Sequence, residues 1–199
     1  MHRTSVLHLK RADPVVARVI EQVGPCRFKP RRQGTHFDAL LRSIVYQQLS
    51  GKAASTILKR VLALYGDRYP RPAQLLATPE PSLRAAGLSR QKLTYLRDLA
   101  TKVESGEVPL ARVGRMPDEA VIEYLTRIKG IGRWTAQMFL MFRLGRPDVL
   151  PELDLGIQTA IQRAYGLGKR PSPAEVLRIG EVWRPHATIA CWYLWRSLE

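Results

Sequence analysis

The chain has 199 residues, of which 45% are hydrophobic and 25% charged, a composition typical of a globular protein of one domain or two small ones. Lys and Arg total 32 against 17 Asp and Glu, and the resulting charge of +15 favours polyanionic partners, with nucleic acid ahead of an anionic membrane. Cys26 and Cys191 are the only cysteines, which excludes a four-cysteine zinc site or iron–sulfur cluster and indicates free, buried thiols, although a single disulfide stays open.

Apolar residues recur at helical spacing along most of the chain, and no alternating strand pattern of useful length is present. The first predicted helix follows the capping residue Asp13, with Pro14 in its first turn and Gly24 at its end. Residues 26–37 are basic and rich in Pro and Gly, which predicts a linker. Further helical segments are predicted at residues 37–50, 51–66, 90–106 (capped by Ser89), 117–128, 133–145, 154–166, 171–183 and 185–198, with short helices between prolines at residues 71–89. The sequence therefore predicts an all-α fold.

The chain carries no apolar run of bilayer length, and its first residues lack the apolar core of a signal peptide. We therefore expect a cytoplasmic, nucleoid-associated protein.

Two glycines, Gly130 and Gly132, lie between two amphipathic segments in a pattern of helix, tight turn and helix. Glycines allow positive φ and the close approach of another backbone. Such a turn directs N–H groups outward and forms an anion site, to which Lys129 and Arg133 add charge. On so basic a chain the expected anion is a DNA phosphate, and such contacts position a protein without reading sequence. The alternative is an ordinary helix–helix turn.

Four motifs occur in a specific order along the chain: "SIVYQQLSGKAA", "GLSRQKLTYLRDLA", "LTRIKGIGRWTAQMFL" and "VLPELDLGI". With these motifs in this order, the sequence resembles the helix-hairpin-helix DNA glycosylase superfamily with a Gly/Pro-rich loop and a downstream Asp (HhH-GPD), in the branch of AlkA-type 3-methyladenine DNA glycosylases II. The resemblance implies DNA contacts by Gly130, Ile131, Gly132, Lys129, Arg133, Thr135 and Lys52.

The resemblance also implies a two-lobed helical fold. Residues 34–146 would form a central domain with the hairpin, and residues 1–33 and 147–199 a second helical domain. The active-site cleft would lie between the lobes, with Asp154 opposite Trp134. A separate N-terminal sheet domain, found in the enterobacterial type, is not expected, because only about 36 residues precede Phe37.

Asp154 stands just before a predicted helix and matches the family's catalytic Asp. A helix N-cap is the alternative, and both roles are compatible. A fixed carboxylate would stabilise the oxocarbenium character that deoxyribose gains as a base leaves, or orient or deprotonate water. Glu152 is the fallback carboxylate, and Asp148 is predicted to be a solvated loop residue.

Trp134 occupies the position at which bifunctional relatives place a nucleophilic lysine. Tryptophan cannot form a Schiff base, so the resemblance implies a monofunctional glycosylase that leaves an abasic site. An alkylated purine is cationic and a good leaving group, and an aromatic wall can hold it by cation–π stacking.

The candidates for the base pocket are Tyr46, Trp134 and Trp183, with core packing the equal alternative for Trp183. The sequence departs from the AlkA-type pattern at Met138 and His186, which replace aromatic pocket residues, so the substrate range is open. Three aromatic residues of the last helix, Trp192, Tyr193 and Trp195, are predicted to be structural.

A base inside a duplex must be flipped out, and a side chain must fill the gap. Gln48, at a helix end before a Ser-Gly turn, falls at the family's intercalating position, with Leu49 beside it. The alternative for Gln48 is an ordinary polar residue at a helix end.

The sequence thus predicts a monomeric, monofunctional glycosylase for alkylated bases in double-stranded DNA. No cofactor or catalytic metal is expected, and a structural monovalent cation on the hairpin carbonyls is the one ion that the family implies. Two alternatives stay open: a non-catalytic DNA-binding protein with the same hairpin, and a glycosylase for oxidised or mismatched bases.

Overall fold

The structure, a computed structural model, describes residues 2–199, and these residues form twelve α-helices and no β-strand. The all-α prediction is confirmed. The helices are α1 (Arg3–Ala12), α2 (Pro14–Val23), α3 (His36–Tyr46), α4 (Gly51–Ala63), α5 (Pro72–Ala77), α6 (Glu80–Ala85), α7 (Arg90–Glu104), α8 (Asp118–Leu125), α9 (Arg133–Phe139), α10 (Leu155–Ala164), α11 (Pro173–Gly180) and α12 (Ala187–Arg196). Short 3₁₀ turns occupy Val113–Arg115 and Glu181–Trp183, and a π-helical turn occupies Leu140–Leu144.

The helix boundaries follow from capping side chains. Asp13 Oδ1 accepts the amides of Val15 and Val16 at 2.8 and 3.1 Å, and α2 ends at Gly24, whose φ is +82°. Ser89 Oγ accepts the amide of Lys92 at 3.2 Å and begins α7. The predictions for both helices are therefore confirmed.

Two compact units divide the chain. The central unit is Arg32–Phe139, and the terminal unit combines the residues up to Arg31 with Leu140–Glu199. The sequence-based boundaries at residues 34 and 146 differ from these by a few residues. The difference is largest after Phe139, because α9 runs on into the π-helical turn and the division falls inside one helical segment.

Each unit has its own buried apolar core. In the terminal unit, α12 packs against α2 and α10, and in the central unit α7 packs against α3 and α5. The terminal core includes Leu9, Val16, Ile161, Val176 and Leu194, and the central core includes Leu40, Ile44, Leu75, Leu96 and Leu125. Each core fixes the helices that carry or flank its unit's candidate functional residues.

Candidate functional site

The hairpin between α8 and α9 belongs to the central unit. Gly130 has a φ of +81°, as the sequence predicts for a turn of this kind, and the amide of the buried Ile131 donates to the carbonyl of Ile128 at 3.0 Å. Gly132 is exposed and does not need a positive φ, and a Cβ atom there would have nothing within 4 Å. The turn therefore leaves open space beside Gly132 for an approaching backbone.

The hairpin's charged residues differ in their partners. The backbone amide of the exposed Lys129 donates to Asp98 Oδ2 at 2.8 Å. Arg133 donates from Nη1 and Nη2 to both carboxyl oxygens of Glu119, at 2.9 and 2.6 Å. This hydrogen bond from Arg133 lowers the pKa of Glu119, against a smaller opposing effect of burial. This ion pair offsets part of the charge that Arg133 would add to the hairpin, and the DNA contact of Arg133 stays a prediction.

The predicted wedge lies next to the hairpin in the same unit. Gln48 is exposed and has a φ of +57°, which is unusual for a residue other than glycine, and Leu49 is 39% exposed. Gln47 Nε2 donates to the carbonyl of Gly130 at 2.8 Å and lies 3.5 Å from the hydroxyl of Thr135. Thr135 is buried, and its contact with DNA stays a prediction.

Lys92, on α7, contacts the end of α3 just before the loop that carries Gln48. Its Nζ donates to the carbonyl of Val45, near the end of α3, at 2.6 Å, and burial lowers the pKa of this lysine. Lys52 is exposed in the first turn of α4, as a phosphate contact requires. The loop that carries Gln48 is thus held by both α7 and the hairpin.

A cavity of about 750 Å³ opens beside the hairpin and the wedge loop. Its volume lies within the usual range for small-molecule sites. The residues that line it are Ser43, Tyr46, Gln47, Gln48, Leu49, Gln91, Lys92, Tyr95, Gly130, Trp134, Thr135 and Met138. The cavity therefore brings together the predicted pocket residues of the central unit and both wedge residues.

Three aromatic rings line this cavity, and one of them, Tyr95, escaped the sequence analysis. Trp134 is 42% exposed. The guanidinium carbon of Arg42 lies 3.8 Å from the centre of the Tyr46 ring, so a cation already occupies one face of that ring. Tyr95 packs against Gly130 and accepts a hydrogen bond from Gln91 Nε2 at 2.7 Å. Its place in the "RQKLTYL" motif, one turn after Gln91, was the available signal.

Asp154 lies in the terminal unit and is the N-cap of α10. It is 9% exposed, and its Oδ1 accepts the amide of Ile157 at 2.8 Å and the indole N–H of Trp195 at 2.9 Å. The capping role is confirmed. The placement of Asp154 opposite Trp134 stays a prediction.

Trp183 does not belong to a base pocket. Its side chain is fully buried, and its indole N–H donates to Asp13 Oδ2 at 2.8 Å. The hydroxyl of Tyr165 donates to the same oxygen, and burial together with this hydrogen bond raises the pKa of Tyr165 strongly. Core packing, the alternative in the sequence analysis, is the role of Trp183.

His186 precedes α12 and lies in the terminal unit. Its ring meets that of His8 edge-on at 5.1 Å, and its Nδ1 lies 3.2 Å from Ser5 Oγ. Burial, and to a smaller extent His8, lowers the pKa of His186. Its role in a base pocket stays a prediction.

The two other candidate carboxylates are in the segment before α10. Asp148 is not merely solvated, because its carboxylate accepts hydrogen bonds from Arg184 Nη1 at 2.8 Å and from the amide of Ala187 at 3.2 Å. It therefore anchors the start of α12. Glu152 is buried, and its backbone carbonyl accepts Gln158 Nε2 at 3.0 Å.

Both cysteines are free thiols, and burial raises the pKa of each. Cys191 is buried as predicted, whereas Cys26 is half-buried. Within residues 2–199 no three His, Cys, Asp or Glu side chains are grouped so that they could hold a metal ion. Among the helices of the described chain, none is both long and apolar enough to cross a membrane.

The chain matches the family model of HhH-GPD superfamily base excision DNA repair proteins over residues 41–185, and it belongs to that superfamily. The resemblance inferred from the four sequence motifs is thereby confirmed.

Named relatives match nearly the whole chain. DNA-3-methyladenine glycosylase 1 of Schizosaccharomyces pombe is 35% identical over 196 residues, which are 96% of this chain and 85% of the relative. The alkylbase DNA glycosidase-like protein mag2 of the same yeast is 30% identical over 192 residues, 95% of this chain and 90% of the relative.

Solved structures agree with these matches. The 3-methyladenine DNA glycosylase Mag1 of S. pombe, in complex with abasic DNA, has a TM-score of 0.87 and 34% identity, covering 98% of this chain and 96% of its own. A DNA-3-methyladenine glycosidase from Bacillus halodurans has a TM-score of 0.85 and 40% identity. The match covers 97% of this chain and 88% of that glycosidase.

Proposed function

We propose that this protein is a monofunctional DNA glycosylase that removes alkylated bases, of the 3-methyladenine and 7-methylguanine type, from double-stranded DNA in base excision repair. It would act as a monomer on DNA in the cytoplasm, associated with the nucleoid. The observation that carries the proposal is the aromatic cavity beside the hairpin. It occurs in a chain whose relatives, matched over most of their length, are named 3-methyladenine DNA glycosylases.

The cavity fits a flipped, cationic base. Alkylation at N3 or N7 gives a purine a positive charge, and an electron-rich ring binds it with roughly 0.5 to 2 kcal/mol. Trp134 presents the largest exposed ring, whereas Arg42 already covers one face of Tyr46. Trp134 is therefore the stronger candidate for the stacking wall, with Tyr95 and Met138 beside it.

Asp154 would supply the chemistry. The bond to an alkylated purine breaks with little acid catalysis, because the leaving base is already cationic. The sugar then carries positive charge, and a carboxylate at about 4 Å stabilises it by about 4 kcal/mol at an effective dielectric of 20. That is about three decades in rate. The carboxylate can also orient the water that completes hydrolysis.

The wedge and the hairpin would prepare the substrate. Gln48 projects from a loop held by α7 and the hairpin, as a side chain that replaces a flipped base must. The open face of Gly132 and the exposed Lys129 and Lys52 would take DNA phosphates.

No cofactor forms part of the proposal. The carbonyls of Arg127, Ile128 and Gly130 already accept hydrogen bonds from Lys102, Ile131 and Gln47. A carbonyl oxygen has two lone pairs, so each of these carbonyls keeps one for the structural monovalent cation that the family implies. No step of the reaction uses one.

The decisive experiment incubates the purified protein, wild type and Asp154→Asn, with methylated DNA and measures the bases released. We expect the wild type to release 3-methyladenine or 7-methylguanine and leave the strand intact, and Asp154→Asn to lose about a thousandfold in rate while still binding abasic DNA. Full activity in Asp154→Asn would remove this residue from the mechanism. Strand cleavage would refute the monofunctional assignment, and release only from oxidised or mismatched duplexes would favour the second enzyme class.

A further inference from the structure

One oxygen of Asp154 receives two hydrogen bonds from different parts of the terminal unit. Oδ1 accepts the amide of Ile157, within its own helix, at 2.8 Å and the indole N–H of Trp195, on α12, at 2.9 Å. An N-cap needs only the first of these bonds. The second bond ties the carboxylate to a helix 41 residues further along the chain.

The indole of Trp195 is itself held in place. Its ring stacks on Phe142 with centroids 5.8 Å apart and an interplanar angle of 28°, and Phe142 lies against Phe28 at 5.6 Å. Gly156 leaves the room that this arrangement needs. A Cβ atom at 156 would lie 3.1 Å from Trp195 Cδ1 and 3.0 Å from Asp154 Oδ1. The aromatic stack and Gly156 together hold the indole N–H of Trp195 in place.

We propose that Trp195 is a positioning residue for Asp154, holding the carboxylate in one orientation through the indole N–H. The inference rests on the proposed function, in which Asp154 faces the reacting sugar. Two donors on one carboxylate oxygen restrict the rotation of the carboxyl group. The orientation in turn decides how well the anion meets the charge that develops on the sugar.

Several other titratable groups lie near Asp154 in the sequence or on α12. On α12 the buried Cys191 thiol has a pKa raised first by burial and then by the charge of Asp154, so it stays neutral. Asp148 pairs with Arg184 at 2.8 Å, and Glu152 is buried two residues before Asp154. His186 stands just before α12, and its pKa is lowered, chiefly by burial.

The test replaces the N–H while keeping the ring. Trp195→Phe removes the donor, and 3-benzothienylalanine at position 195 substitutes sulfur for the N–H in a ring of nearly the same shape. Trp192→Phe is the matched control, because Trp192 is half-buried on the same helix and packs on Tyr193 at 4.9 Å. Single-turnover release of 7-methylguanine is measured for each variant, together with the affinity for abasic DNA and the melting temperature.

Both variants at position 195 are expected to lose about tenfold to a hundredfold in excision rate, with abasic-DNA affinity unchanged within about twofold. Trp192→Phe should keep the wild-type rate. The inference is overturned if both position-195 variants keep the wild-type rate, or if their loss of rate is matched by an equal loss of abasic-DNA affinity. If Trp195→Phe does not fold, the benzothienyl variant decides. A wild type that releases no alkylated base would refute the proposed function itself, and this inference with it.

Discussion

The ring of Tyr95 lies directly against the backbone of Gly130, so that a Cβ atom at position 130 would be 2.1 Å from Tyr95 Cδ2. The φ of +81° at Gly130 is a second reason for glycine there. Gly132 has neither constraint, since its missing Cβ faces open space. The two glycines of the hairpin therefore serve different ends: one permits packing within the protein, and the other leaves room outside it.

Substituting each glycine by alanine should separate these roles. Gly130→Ala is expected to destabilise the protein by about 2 kcal/mol or more, because the added methyl overlaps the Tyr95 ring and the backbone is strained. Gly132→Ala should keep the wild-type melting temperature and weaken binding to abasic DNA. Thermal melts and binding isotherms on the same preparations check this, and equal loss of stability in both variants would contradict it.

Removing the carboxylate opposite Arg133 should strengthen DNA binding. Glu119→Gln leaves Arg133 with its full charge near the hairpin, and the slope of log K against log salt should steepen by about one unit. The matched variant Glu123→Gln, one turn further along α8, should change the slope less, because Glu123 contacts Arg127 at 3.8 Å instead. A slope that is unchanged in Glu119→Gln would show that Arg133 stays away from the phosphates.

The ion pair between Arg133 and Glu119 should make both stability and DNA affinity depend on pH. Arg133 lowers the folded-state pKa of Glu119, so the pair contributes stability above the unfolded pKa of about 4.3 and loses it as the pH falls through the lower folded value. Because Glu119 is largely exposed, the effect on stability is small. DNA affinity measured between about pH 3.5 and 6 should rise at the acid end by more in wild type than in Glu119→Gln, where no carboxylate titrates.

Two tryptophans should give opposite phenotypes. Trp134→Ala is expected to lose about tenfold in kcat/KM for 7-methylguanine with little change in melting temperature, because this exposed ring serves the cavity. Trp183→Phe should lower stability by about 1 to 3 kcal/mol, because Asp13 loses a buried donor, and should leave substrate selectivity intact. A Trp134 variant with wild-type kinetics would exclude this ring as the stacking wall.

The strained backbone at Gln48 suggests a trade between stability and activity. Gln48→Gly removes the predicted wedge and relieves a φ of +57°, so the melting temperature should hold or rise slightly. Excision from duplex DNA should fall about tenfold, since flipping costs a few kcal/mol. A fluorescent base analogue beside the lesion reports the flipped state. Unchanged fluorescence and rate in the variant would assign the wedge to another residue.

Much of the helical fold could be predicted from the sequence, because capping residues and helix-ending glycines are local signals. Asp13, Pro14 and Gly24 bound α2, and Ser89 begins α7, as predicted. The first helix, α1, was missed because its N-cap, His2, makes no side-chain capping bond and Leu9 is its one buried residue. Without a cap or a broad apolar stripe, a helix of that kind depends on tertiary packing.

The candidate site was predictable where the residues share a motif and less so where partners are distant in sequence. Trp134, Met138 and Gln48 line one cavity as the motifs indicated. The hydrogen bond from Trp183 to Asp13 joins residues 170 positions apart, and no periodic pattern in the sequence predicts it. The bond between Trp195 and Asp154 was missed for the same reason.

The discontinuous make-up of the terminal unit has a consequence for biosynthesis. Helix α2 packs against α12, so the core of this unit cannot form until α12 has emerged from the ribosome. The central unit is one uninterrupted stretch and can fold as soon as Phe139 emerges, because domains generally fold as units during synthesis. The nascent chain would therefore hold a finished hairpin before the core around Asp154 has closed, and α1 and α2 wait longest for their partners.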